Sequence, residues 1–129
     1  MGEWKIDTKQ WPIVVHSVDG VLTDAELDAY IAQADTILAR KVPHVTVLDA
    51  SRSGLTTPAV RARAAAWQKA HHEELKQYCR GTAYVVPSSV LRFVVMSLLL
   101  LTQLPTPFTT CETLDEALAW GKKRLDGAA

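Results

Sequence analysis

Hydroxyl and carboxylate side chains are concentrated where one predicted strand leads into a predicted helix. The run Val45–Leu48 is rich in β-branched residues and predicts a strand that leaves the sheet at Asp49. Ligands and partners of open α/β sheets meet the carboxyl ends of the strands, so the following loop is the first candidate site. The candidate residues for a partner contact or a phosphorylation switch are Asp49, Ser51, Arg52, Ser53, Thr56 and Thr57.

A phosphate on Ser53 would suit this loop, Asp49–Thr57, electrostatically. It would add about two negative charges near the start of the next helix, where the helix dipole favours an anion and Arg52 could pair with it. Thr57-Pro58 is typical of an N-cap and first helical residue, and the sequence predicts that this helix runs to Tyr78. Ordinary turn and cap chemistry is the alternative explanation of these side chains.

A second pair of hydroxyl residues, Ser88 and Ser89, follows the predicted strand Thr82–Val86. A hydroxyl at a helix N-terminus beside a strand end can help to bind an anion or another ligand. Capping of the helix explains the same residues without any ligand. Both interpretations therefore remain open for this loop.

The remaining reactive residue types do not form a catalytic or metal-binding set. His71 and His72 are adjacent, so on a helix their side chains point about 100° apart and do not readily face one ion. Cys79 and Cys111 have no metal-ligand spacing and no identifiable group to activate them, which favours buried structural thiols. We therefore expect no catalytic residue, no metal and no cofactor.

The elements that position these residues follow the order ββαβαβαβα. Trp4–Ile6 and Ile13–Val18 predict an opening hairpin, and the later strands alternate with helices, which is typical of parallel crossover connections. Thr23–Glu26 and Thr113–Glu116 have the capping-box pattern and predict the starts of the first and last helices. The expected fold class is α/β, with a mixed, mostly parallel sheet.

One predicted helix, Val90 to about Gln103, is apolar around almost its whole circumference. Two of its faces must then be covered, one by the sheet and the other by a neighbouring helix, a second subunit or a ligand. The helix is too short to span a membrane, which takes about 20 apolar residues, and Arg92 interrupts it. The residues expected to face a second subunit or a ligand are Phe93, Val94, Leu98 and Leu101.

Two short segments in this order resemble the SpoIIAA-like branch of the STAS superfamily. They are Asp19-Gly20-Val21-Leu22-Thr23, at the entry to the first helix, and Glu116-Ala117-Leu118-Ala119-Trp120 in the last helix. The resemblance implies a STAS-like fold over nearly the whole chain. In STAS signalling domains the loop after the central strand carries a phosphorylatable serine in a D-S-S-G-L-like motif. Here Ser53-Gly54-Leu55 matches, whereas Arg52 replaces the first serine, and the SpoIIAA-like branch generally lacks the phosphorylation site.

The charge composition gives no support for nucleic-acid binding. Lys and Arg together number 14, as do Asp and Glu, so no excess of positive charge favours nucleic-acid binding. The first five residues, Met1–Lys5, lack the apolar run of a signal peptide, so we expect a cytoplasmic protein. A length of 129 residues suits one domain, 1–129.

We therefore expect a non-enzymatic regulatory or protein-interaction module of STAS-like type in a bacterium. Its partner is expected to be another protein or a second copy of the chain, without nucleic acid and without a membrane span. The alternative is a carrier or sensor of a lipid or small apolar ligand held between the helix Val90–Leu101 and the sheet.

Overall fold

A computed structural model describes residues 3–20, 23–52, 58–102 and 106–127. Five strands and five helices lie in these ranges. The strands are β1 (Glu3–Asp7), β2 (Ile13–Asp19), β3 (His44–Arg52), β4 (Cys79–Val85) and β5 (Phe108–Cys111). The helices are α1 (Asp24–Leu38), α2 (Pro58–Ala70), α3 (His72–Tyr78), α4 (Ser89–Thr102) and α5 (Leu114–Gly127).

The strands form one mixed sheet in the order β1-β2-β3-β4-β5. β1 pairs antiparallel with β2, in a register that places Ile6 opposite His16. The other three pairings, from β2 to β5, are parallel. The predicted opening hairpin and the mostly parallel α/β sheet are therefore confirmed. Each parallel connection contains helix because a parallel crossover must carry the chain back along the sheet.

Helix α5 covers one face of the sheet. Successive strand residues point to opposite faces, so Ile13 and Val15 of β2 share a face with Val45 and Val47 of β3. These side chains are buried in one cluster, which also contains Ala83, Val85, Cys111 and Ala117 and is packed by Leu114, Leu118, Trp120 and Leu125 of α5. The packing of α5 against the sheet is close at Gly81. A Cβ added at Gly81 on β4 would lie 2.5 Å from Cη2 of Trp120.

Helix α1 lies on the opposite face, where its apolar side is buried through Leu27, Ala34, Ile37 and Leu38. The imidazole of His16 on β2 meets the ring of Tyr30 edge-on, with ring centroids 5.4 Å apart. The predicted capping box begins this helix. Thr23 Oγ1 accepts from the Glu26 amide at 3.3 Å, and Glu26 Oε1 accepts from the Thr23 amide at 3.0 Å.

The helix predicted from Thr57 to Tyr78 is not continuous, and the strand after it begins earlier than predicted. It divides at His71, whose φ of −109° and ψ of 23° separate α2 from α3. The His71 imidazole contacts two carboxylates, Asp35 of α1 at 3.5 Å and Glu74 at 3.1 Å. These contacts hold the His71 side chain at the junction of α2 and α3. The strand then begins at Cys79, three residues before the predicted Thr82, because Cys79 pairs in register with His44 on β3.

Candidate functional site

The carboxyl edge of the sheet differs from its prediction because β3 is longer than expected. Asp49, Ala50, Ser51 and Arg52 belong to β3, not to a loop. Backbone pairing extends the strand, since Asp49 lies in register with Ser17 of β2 and with Val85 of β4, and Arg52 lies in register with Asp19. The prediction that the strand ends at Asp49 was therefore wrong.

The hydrogen bonding of Asp49 matches the alternative explanation of these side chains, which is ordinary turn and cap chemistry. Asp49 Oδ1 accepts a hydrogen bond of 3.0 Å from the amide of Ser51, two residues later. The other predicted switch residues, Ser53, Thr56 and Thr57, lie outside the described residues. The described part of the candidate site is thus the end of a central strand, with one carboxylate satisfied by its own backbone.

The second predicted loop is organised by capping and by Arg92. Ser88 Oγ accepts from the amide of Leu91 at 3.3 Å, which is the N-cap bond that the alternative interpretation predicts, and Ser89 begins α4. Arg92 Nη1 donates to the carbonyls of Val86 and Pro87 at 2.9 and 2.8 Å. The guanidinium therefore binds the end of β4 to the first turn of α4, and fixes where this helix leaves the sheet.

The outer side of α4 is an exposed apolar surface. Phe93 and Leu101 are 75% and 80% exposed. All four of the predicted residues belong to this surface, which we call the α4 stripe and which consists of Val90, Leu91, Phe93, Val94, Leu98, Leu100 and Leu101. At about 100° per residue, these seven side chains form one continuous side of the helix that covers about half of its circumference. Of the described α4 side chains, only Arg92, Val95, Met96 and Leu99 are half-buried, so the rest of the chain covers one side of this helix. Cover of the other side by a second subunit or a ligand stays a prediction.

None of the described helices combines the length and the apolarity needed to cross a membrane. The α4 stripe is nevertheless larger than the scattered apolar residues usual on protein surfaces, and contiguous patches of this kind mark interaction sites.

A polar cluster at the opposite, amino-terminal edge of the sheet was not predicted from the sequence. His44 begins β3 and Cys79 begins β4, and their register brings the imidazole and the thiol into a hydrogen bond. His44 Nδ1 donates to the carbonyl of Val42 at 2.9 Å. Trp11 stacks on the imidazole with ring centroids 6.0 Å apart, and Arg40 Cζ lies 4.3 Å from the Trp11 ring centroid.

His44 and Cys79 shift each other's pKa in opposite directions. Burial by itself lowers the pKa of His44, but the hydrogen bonds to Cys79 and to the Val42 carbonyl outweigh it, so that the pKa is raised. Burial likewise opposes ionisation of Cys79, yet the hydrogen bond and charge of His44 hold the pKa of the thiol below its ordinary value. Cys79 is 4% exposed, which keeps the pair away from substrates and suits a structural contact between two strands.

Burial also shifts three groups on the α1 face of the sheet. It lowers the pKa of His16 to about 4, with a further contribution from the positive charge of His44. It raises the pKa of Tyr84 to about 12 and that of Tyr30 further still. At neutral pH His16, Tyr30 and Tyr84 are uncharged, because burial disfavours their ionised forms.

Of the two adjacent histidines, His71 makes contacts with other helices, whereas His72 contacts Glu73 of its own helix. Trp67 Nε1 donates to Asp35 Oδ1 at 2.7 Å, and His71 packs against the Trp67 ring with centroids 4.8 Å apart. Arg63 forms an ion pair with Asp28. Among the described residues, no group of three or more His, Cys, Asp or Glu side chains is placed to hold a metal ion.

Comparison with known proteins gives matches at the level of structure. No protein-family model matches the chain, and no curated protein matches it in sequence. An uncharacterized protein of the DUF3478 family from Shewanella loihica PV-4, with a SpoIIAA-like fold, is 15% identical over 93% of each chain, with a TM-score of 0.73.

Two anti-sigma factor antagonists are also similar. One, from Mycobacterium paratuberculosis, is 20% identical over 95% of each chain with a TM-score of 0.61. The other is SpoIIAA in its unphosphorylated form, 15% identical over 92% of this chain and 97% of that one, with a TM-score of 0.65. These likenesses show that the chain has the SpoIIAA-like, STAS-like fold, as its sequence motifs predict.

Proposed function

We propose that this chain is a non-enzymatic regulatory module of STAS-like type that acts by binding another protein chain. The observation that carries the proposal is the α4 stripe, an uncharged apolar surface that follows directly on the carboxyl end of β4. Two structural neighbours are named as anti-sigma factor antagonists, which supports regulation through protein contacts rather than catalysis. The proposal places one domain over residues 1–129 in a bacterial cytoplasm.

The proposed switch is a phosphate within Asp49–Thr57, with Ser53 as its acceptor. In the sequence, Ser53 follows Arg52 and precedes Pro58, the first residue of α2, so a phosphate there would be close along the chain to a cation and to a helix N-terminus. Support for this site comes from its position after a central strand and from the Ser53-Gly54-Leu55 match. The proposed anion contact at Ser88 and Ser89 adjoins the same edge of the sheet.

The test of the switch is a substitution series read out by partner binding. Protein isolated from its own cells, with any bound partner retained, is weighed intact and then mapped for phosphate. Ser53→Asp is expected to change affinity for that partner at least several-fold, whereas Ser53→Ala keeps the unmodified behaviour. Thr36→Ala, at an exposed hydroxyl of α1, is the control for removal of a phosphorylatable side chain. Equal partner binding by wild type, Ser53→Ala and Ser53→Asp would exclude the switch.

The alternative function, a carrier of a lipid or small apolar ligand between α4 and the sheet, has no support in the described side chains. An enclosed ligand requires apolar side chains turned toward the sheet. Phe93 and Leu101, which were expected to line such a space, are instead among the most exposed apolar residues. Protein interaction therefore remains the function that the geometry supports best.

A further inference from the structure

We infer that the α4 stripe is covered by a second copy of this chain, with the two α4 helices packed antiparallel about a twofold axis. This inference rests on the proposed protein-interaction function and identifies one partner of that surface. The first argument is area. The exposed fractions of the seven stripe residues correspond to about 700 Å² of apolar side chain, close to the roughly 800 Å² that each partner buries in a stable interface.

The second argument is the polar content of the stripe. Its seven residues carry no charge, and Ser97, which lies between them, donates from Oγ to the carbonyl of Phe93 at 2.9 Å. Burial of this hydroxyl leaves no unmet donor. Arg92, the only charged residue in the sequence of α4, is already bonded to the carbonyls of Val86 and Pro87. The surface can thus meet an identical one without like-charge repulsion or unsatisfied polar groups.

The third argument is self-complementarity. In a twofold interface the same patch serves both subunits, so residue pairs must match when the patch is turned on itself. An axis midway between Val94 and Ser97 sets those two residues opposite each other. It also sets Phe93 opposite Leu98 and Val90 opposite Leu101, so the whole stripe is covered. Antiparallel helices additionally align their dipoles favourably.

The first experiment measures mass in solution by sedimentation over a dilution series. Wild type is expected at twice the chain mass of 14.2 kDa. Val94→Glu is expected at the single-chain mass, because it buries a carboxylate in the interface. Val42→Glu is the matched control, since Val42 has the same residue type and a similar exposure, 38% against 39%, but lies outside α4. It is expected to remain dimeric.

Circular dichroism checks that each variant is folded, and Leu98→Glu repeats the test at a second stripe position. A wild-type monomer at every concentration would overturn the inference. So would a folded, dimeric Val94→Glu variant, or a monomer that floats with phosphatidylcholine vesicles through this stripe. A monomer that still binds a regulatory partner would overturn this inference alone and leave the proposed function standing.

The second experiment tests the geometry without disrupting the surface. Val94→Cys chains and Ser97→Cys chains of different tagged mass are mixed and oxidised. Antiparallel pairing predicts that the mixed 94–97 disulfide exceeds both the 94–94 and 97–97 products. The wild type is the control, because Cys79 and Cys111 are buried. Predominant 94–94 and 97–97 products would indicate parallel helices and overturn the antiparallel arrangement.

Discussion

At the scale of single residues, His16 should make stability depend on pH. It is 4% exposed, and burial lowers its pKa from the ordinary 6.5 to about 4. Between pH 6.5 and about pH 4, His16 is protonated in the unfolded chain but stays neutral in the folded chain. The free energy of unfolding therefore falls as the pH drops through this range. The loss at pH 4 relative to pH 7 is at most about 3 kcal/mol.

Urea unfolding of wild type and His16→Leu at a series of pH values measures this contribution. The variant is expected to lose the part of the pH dependence that lies between pH 6.5 and about 4. His72→Leu, at an exposed histidine, is the control and should follow the wild-type profile. Identical profiles for wild type and His16→Leu would contradict the assignment.

The contact between His44 and Cys79 should be visible in thiolate formation. Because the hydrogen bond and charge of His44 lower the pKa of Cys79 against the effect of burial, His44→Asn should raise that pKa. The measurement is ultraviolet thiolate absorbance against pH in a Cys111→Ala background, so that one thiol titrates. An unchanged midpoint in His44→Asn would show that the imidazole does not govern the thiol.

At the scale of elements, the packing of α5 on β4 should tolerate no side chain at Gly81. An added Cβ would approach Trp120 Cη2 to 2.5 Å and Cζ3 to 3.0 Å, so Gly81→Ala should cost about 1–3 kcal/mol of the free energy of unfolding. Denaturant unfolding measures the loss. In the double variant with Trp120→Phe, whose smaller ring reaches less far, the loss should be clearly below the sum of the single losses. Additive losses would contradict a direct clash.

Local sequence rules predicted the elements whose signals are local. The capping box at Thr23 and Glu26 and the alternation of strands with helices were predictable because each depends on neighbours in the chain. The division at His71 was not, since it depends on contacts with Asp35 of α1. The early start of β4 and the late end of β3 depend on pairing with other strands, which periodicity within one segment does not record.

The candidate surfaces, too, were predictable only where the signal lies within one segment of the chain. The apolar composition of α4 predicted four of the stripe residues as facing a second subunit or a ligand, but it did not decide between these two, because a helix that is apolar on nearly all sides does not specify what covers it. The cluster of Trp11, Arg40, His44 and Cys79 was not predicted, because its members come from three segments that are far apart in the chain. Pro43 before His44 and the strand-like run after Cys79 were the only local hints of two strand starts at one edge.

At the scale of the whole molecule, the order of synthesis gives α5 a distinctive position. The face formed by α1 can be assembled while the chain is still being made, since α1 precedes β3 and the later strands. The opposite face, with Ile13, Val45 and Val47, is packed by α5, which follows all five strands. On the ribosome that apolar face therefore stays open until α5 emerges, and the nascent chain is most vulnerable to chaperone capture or aggregation just before its sheet is closed.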